Sequence, residues 1–175
     1  MPAGVLVSWA MPVSCCALTR STSAGAKAGL RTTSASRSSE GARFGVSAES
    51  DTIVVSCPTT EGSLGDGHFP ALTYRDAGVR IAIGTDSQVR IDPFEEAREL
   101  ETIARRERRT RHALLASYGD LWGELVANGL AGLGVDDAGT IAIDRDHPDL
   151  RGIADADLPL AIATCASAAV VCRSV

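Results

Sequence analysis

Aromatic side chains are scarce in this chain of 175 residues, at 4% of the total. With 45% of residues hydrophobic, a normal globular share, the core must rest on Ala, Val, Leu and Ile. The five cysteines (Cys15, Cys16, Cys57, Cys165 and Cys172) show no CxxC spacing and no even framework. That excludes a zinc knuckle and a disulfide scaffold, and reduced thiols in a cytoplasmic protein are the expectation. No apolar run approaches the ~18 residues needed to span a membrane. The mildly apolar start lacks the positive n-region of a signal peptide, since Arg20 is the first charged side chain. Basic excess is also missing: the net charge is -5 and the pI near 5.2, which argues against a nucleic-acid partner. Histidine is the last scarcity. There are three, His68, His112 and His147, with no His-x-His and none before His68.

The length suffices for one domain with a core of its own. The chain nevertheless changes character near residue 45. From Thr19 to Ser39 it is dominated by Ser, Thr, Ala and Gly, with four basic residues, no acid and no hydrophobic period. Such a stretch buries too little apolar surface to offset the entropy of ordering. Residues 1–48 are therefore expected to be disordered. Their composition also fits a transit peptide or a reading frame translated out of phase.

Residues 49–175 are locally consistent. Thr52 to Ser56 is a β-branched run suited to a buried parallel strand. A loop rich in turn formers, Cys57 to His68, follows it. Pro70 to Ala77 predicts a short helix with Gly78 behind it, and Val79 to Ile83 a second strand. After the loop Gly84 to Ile91, Asp92 opens a long helix, with Pro93 at its first position and Glu95 at its third, expected to run to about Ala116. Glu101 with Arg105, and Glu107 with Arg111, have the spacing of favourable i,i+4 pairs. Asp120 to Asn128 reads as one more short helix, ended by Gly129. The order is that of two βα units of a parallel α/β architecture, whose functional loops follow the C-terminal ends of the strands.

Asp86 stands at the mouth of the second strand, where a carboxylate can bind a metal or move protons; an Asx-turn is the plainer role. One Asp is not a metal site, because zinc takes three or four ligands. The first loop offers Thr59, Thr60, Glu61, Ser63, Asp66 and His68, which can hold a polar substrate or satisfy their own backbone. Its glycines match neither GxGxxG nor GxxxxGK[ST]. His112 and His147 read as surface residues. The five arginines between Arg105 and His112 read as a solvated helix face paired with upstream glutamates, with a nucleic-acid-contacting helix as the sharper alternative.

The stretches CPTTEGSLGDGHFPA (57–71) and AIGTDSQVRIDPFEEARELE (82–101) closely resemble the signature of formimidoylglutamate deiminases, in the amidohydrolase superfamily. These carry a CPTTE-x-x-LGDG loop, a G-[ST]-DS loop and an acidic-capped helix with LE-x-x-x-R. The resemblance runs from about Ser50 to about Cys172. It implies part of a (β/α)8 barrel, the seventh and eighth strands with C-terminal helices, beside a small β-rich domain built from both chain ends. It makes Asp86 the metal ligand and catalytic proton carrier, and places Thr59, Glu61 and Asp66 at the border of the substrate pocket. It implies a divalent metal, zinc, a small-molecule substrate (N-formimidoyl-L-glutamate, in histidine degradation), no nucleic-acid or membrane partner, and a homodimer for the intact family. Gln88 replaces a familiar His, Thr85 a Ser, and His68 an apolar residue. The family's His-x-His pair and mid-barrel histidines are missing, and a whole barrel needs about 250 residues. The expectation is thus a C-terminal portion, truncated or frame-shifted, that is inactive alone. The alternatives are half of a split deaminase, or a non-catalytic interaction protein using the Arg-rich helix 93–116.

Overall fold

The computed structural model describes residues 6–7, 53–87, 90–114, 118–136 and 139–174. The strands are β1 (Leu6–Val7), β2 (Ile53–Ser56), β3 (Arg80–Ile83), β4 (Ile141–Ile143) and β5 (Val171–Ser174). The helices are α1 (Pro58–Leu64), α2 (Ala71–Asp76), α3 (Pro93–Arg108), α4 (Tyr118–Leu133) and α5 (Leu158–Thr164). Two sheets result. β2 and β3 pair in parallel, Ile53 opposite Arg80 through Ser56 opposite Ile83. β4 lies between β1 and β5, antiparallel to both.

Parallel pairing needs a crossover, and α1 and α2 provide it. The Cys57 to His68 loop expected from its turn formers therefore contains a helix. Pro58 opens α1, and Gly65, at φ 72°, closes it in the left-handed region that favours glycine. β3 is apolar on both faces, as a strand covered on both sides should be: Ile81, Ala82 and Ile83 are all buried. Its partners include Phe94 and Leu100 of α3 and Trp122 and Leu125 of α4. The Phe94 and Trp122 rings meet at 4.9 Å, tilted by 49°. Burying such a side chain is worth about 1.5–3 kcal/mol.

α3 begins as its sequence predicts. Asp92 Oδ1 accepts from the Phe94 and Glu95 N–H groups at 3.1 Å each, with Pro93 in the first turn. Asp92 Oδ2 also accepts from the Ala168 N–H at 2.9 Å, so the cap fastens the segment before β5 to the same point. Glu95 bonds Arg90 rather than completing a capping box. The helix stops at Arg108, eight residues short of the expected end, because Arg109 turns left-handed at φ 53°. Glu101 explains the stop. Its buried carboxylate accepts from the Ala113 and Leu114 N–H groups at 3.0 and 2.9 Å, folding the chain back onto the helix it has just left. The Glu101–Arg105 pair forms at 2.8 Å, while Arg111 lies beyond the end of the helix, so its spacing from Glu107 no longer sets the two on one helical face. Arg106 pairs with Glu99 and Arg108 with Asp76, as on a solvated charged face.

α4 is longer than expected and runs through Gly129 to Leu133; Gly134, at φ 68°, is where it ends. Its buried Asn128 donates to the Ile81 carbonyl at 2.8 Å. The Gly84 N–H reaches Ser56 on the paired side of β3, so by strand alternation the Ile81 carbonyl faces the opposite edge. Asn128 thus covers a carbonyl that a further strand would otherwise take. Arg98 of α3 donates to the Ile162, Ala163 and Ala166 carbonyls and caps the C-terminal end of α5.

The parallel sheet has two strands among the described residues, so the structure is mixed α/β, and a closed barrel is not seen in it. The C-terminal region holds an antiparallel sheet as well as helices, and β1 falls in the segment expected to be disordered. The rest of residues 1–48 lies outside the described residues. Cys165 and Cys172 are free, as expected, whereas Cys57 is disulfide-bonded, against the expectation of reduced thiols. No helix among the described residues is long and apolar enough to cross a membrane.

Candidate functional site

The loops leaving β2 and β3 emerge at the same end of the parallel pair, as two loops after parallel strands must. A hydroxyl joins them: Thr60 Oγ1 donates to the Thr85 carbonyl at 2.8 Å, and Asp86 is the next residue.

The four residues singled out in the sequence have different surroundings. Glu61 is turned inward on its own loop. Its carboxylate accepts from Ser56 Oγ at 3.0 and 3.2 Å and from the Cys57 N–H at 2.7 Å, which satisfies the start of α1. Thr59 is half-buried, and its N–H donates to Glu96 Oε2 at 2.9 Å while its hydroxyl bonds Glu96 Oε1. Asp66 is exposed, beyond the end of α1. Asp86 is exposed too, at φ 49°, a conformation that Asp tolerates better than most residues. Among the described residues its carboxylate has no hydrogen bond or ion pair. Thr59, Glu61 and Asp86 thus share one end of the sheet, but no polar contact joins Asp86 to the other two.

Glu96 is the residue that the sequence reading missed. It is 1% exposed, in the first turns of α3, and reaches across to α1. Burial raises its pKa above the ordinary 4.5, and the nearby charges of Glu95 and Glu61 add to this, while the two Thr59 hydrogen bonds pull the other way. Its position carried a signal: Glu96, Leu100 and Ile103 follow the i, i+4, i+7 spacing of a buried helix face. Glu101 sits likewise with Phe94, Ala97 and Ala104. A shallow, mostly apolar cleft opens beside Glu96, between Thr85 at the end of β3 and Trp122 and Leu125 on α4. A carboxylate held in such a place can exchange a proton nearer neutrality than an exposed one.

The described residues do not fit a metal centre. No three His, Cys, Asp or Glu side chains among them gather closely enough to hold an ion. His68 and His112 are exposed, and His147 lies 3.6 Å from Asp149, far along the chain in the turn after β4. Asp86 is a single potential donor.

No family model matches the chain. Over 67 residues it is 42% identical to formimidoylglutamate deiminase of Pseudomonas aeruginosa, covering 38% of this chain and 15% of that protein. Over 119 residues it is 32% identical to 5-methylthioadenosine/S-adenosylhomocysteine deaminase of Halobacterium salinarum, covering 62% of this chain and 27% of that one. Among solved structures, an amidohydrolase from Brucella melitensis superposes with a TM-score of 0.59 at 28% identity, over 73% of this chain and 31% of the other. An adenosine deaminase from Xanthomonas campestris, with bound zinc, superposes at 0.62 and 22% identity over the same shares. The second of these likenesses concerns the fold alone. The chain spans 15% and 27% of the two sequence relatives. Over that part of their length, in sequence and in fold, it resembles the metal-dependent deaminases of the amidohydrolase superfamily.

Proposed function

We propose that this chain supplies the last two βα units of an amidohydrolase-type deaminase, with N-formimidoyl-L-glutamate as the substrate. The observation behind this is the parallel β2–β3 pair whose two exit loops are joined by the Thr60–Thr85 hydrogen bond. The 42% identity to a formimidoylglutamate deiminase favours the formimidoyl substrate over a nucleoside, despite the shorter matched length. In this reading Asp86 is the reactive carboxylate, exposed after the end of β3 and without a competing partner among the described residues. Thr59 and Glu61 shape the substrate border through the backbone of α1, because their side chains are already engaged; Asp66 is the one whose side chain is open to a ligand. Deimination adds water to the formimidoyl carbon and expels ammonia, so a carboxylate beside that carbon can take a proton from the water and return it to the leaving nitrogen. Since the described residues form no metal centre, the histidine donors must come from outside them.

The test is complementation. The chain is mixed with a polypeptide carrying the first six βα units of a formimidoylglutamate deiminase, and ammonia release is followed. We expect release from the mixture, none from either partner alone, and none when Asp86→Asn replaces the native chain. Failure of the mixture, or equal release with Asp86→Asn, overturns the proposal.

A second reading has one observation behind it. Arg109 and Arg111 are exposed, and among the described residues neither has a carboxylate partner. The pair leaves room for an interaction role, which salt-dependent RNA binding would reveal.

A further inference from the structure

We propose that Glu96 is a positioning residue that sets the Asp86 turn by way of Thr59, Thr60 and Thr85; the idea rests on the reading of Asp86 as the reactive carboxylate.

α1 has seven residues, too few to persist without outside help. Its N-cap, Cys57, makes no side-chain cap, so the first N–H groups need acceptors from elsewhere. Glu61 serves the Cys57 N–H from within the helix, and Glu96 serves Thr59 from α3, 37 positions along the chain. Both oxygens of Glu96 are engaged by the same residue, which fixes the helix start in direction as well as distance. The next residue, Thr60, is 6% exposed and holds the Thr85 carbonyl. Thr85 leads directly into Asp86. At the far end of this loop, Asp92 caps α3 and so locates Glu96 itself. The contacts close a ring around the turn: Glu96 to Thr59, along one peptide to Thr60, across to Thr85, through Asp86 to Asp92, and back to Glu96. A shift of the Glu96 carboxylate therefore reaches Asp86 through a hydroxyl that can be removed independently.

Nuclear magnetic resonance of the full chain tests this without any turnover. Glu96→Gln replaces one acceptor oxygen with a donor facing Thr59. It should move the Asp86 and Ser87 amide resonances by more than a linewidth. In a Thr60→Val background the same change should move them much less. Thr60→Ser, which keeps the hydroxyl, should restore the response. Equal displacement with and without the Thr60 hydroxyl, or no displacement, overturns the proposal. Should Glu96→Gln not fold, the comparison of Thr60→Val with Thr60→Ser still decides. The valine must move the Asp86 amide and the serine must not; an unmoved Asp86 in Thr60→Val refutes the ring. This readout is geometric, so its failure is distinct from failure of the ammonia assay.

Discussion

After β2 the chain passes at once into α1, and its polar groups there are engaged: Ser56 and Cys57 on Glu61, Thr59 on Glu96, Thr60 on Thr85. After β3 the chain leaves Asp86 exposed, left-handed and without a side-chain partner among the described residues. One loop is a buttress and the other presents a carboxylate. Both hang on parallel strands of the same length, so the strands do not make the difference. The acids of α3 do. Glu96 faces the first loop, and Asp92 fixes the place where the second one ends. A carboxylate kept free of internal bonds is reactive only if something else keeps its backbone in place, which is what the first loop offers.

Substitutions can break this contrast. The largest effect is expected for Phe94→Ala, which empties the space against Trp122 in the core beside β3 and should cost about 3–5 kcal/mol in chemical denaturation. Retention of stability would mean that α3 does not depend on this packing for its place beside the loops. Glu96→Gln comes next, at about 1–3 kcal/mol, since it replaces two hydrogen bonds to a carboxylate by neutral ones and makes the Thr59 hydroxyl accept from the amide instead of donating. Its pH signature is more telling. The folded pKa of Glu96 is raised, so the folded state holds its proton longer than the unfolded chain does. The associated stability is full below the ordinary value of 4.5 and is lost as pH rises through the higher folded value. Denaturation at a series of pH values above 4 should show that decline in the native protein and a flatter profile in Glu96→Gln. Asp92→Ala should cost about 1 kcal/mol through the lost helix cap, with faster amide exchange at Ala168 as the local sign. Asp86→Asn should change stability by less than about 0.5 kcal/mol. A penalty there as large as that of Glu96→Gln would erase the distinction between the loops.

β2 and β3, their parallel order and the start of α3 were legible because each rests on a local rule: a β-branched run, a crossover of sufficient length, an Asp–Pro entry. α1 was not legible, because Gly62, Gly65 and two threonines read as turn formers, and the acceptor for the Thr59 N–H in its first turn lies on a distant helix. The end of α3 was misplaced for a related reason. Arg109 and Arg111 are good helix formers, yet Glu101 draws residues 113 and 114 back. The antiparallel pairing of β4 and β5 joins segments about thirty residues apart, which no local period announces. At the proposed site, Asp86 was singled out from its place after a strand, and the structure puts it in the exposed turn after β3; Glu96 was overlooked as one more glutamate in an acidic first turn. The spacing to Leu100 and Ile103 was the clue that separated it from Glu95.

A sheet margin closed by a carboxamide instead of a ladder has a consequence for assembly. Pairing with a neighbouring strand exchanges several backbone bonds in series, but the Asn128 cover on Ile81 is a single contact worth about 1 kcal/mol. An incoming strand would have to displace that amide and also the part of α4 that packs against β3, where Trp122 and Leu125 share a core with Ile81 and Ile83. The margin is thus shielded from casual edge-to-edge association by helix packing as well as by one amide.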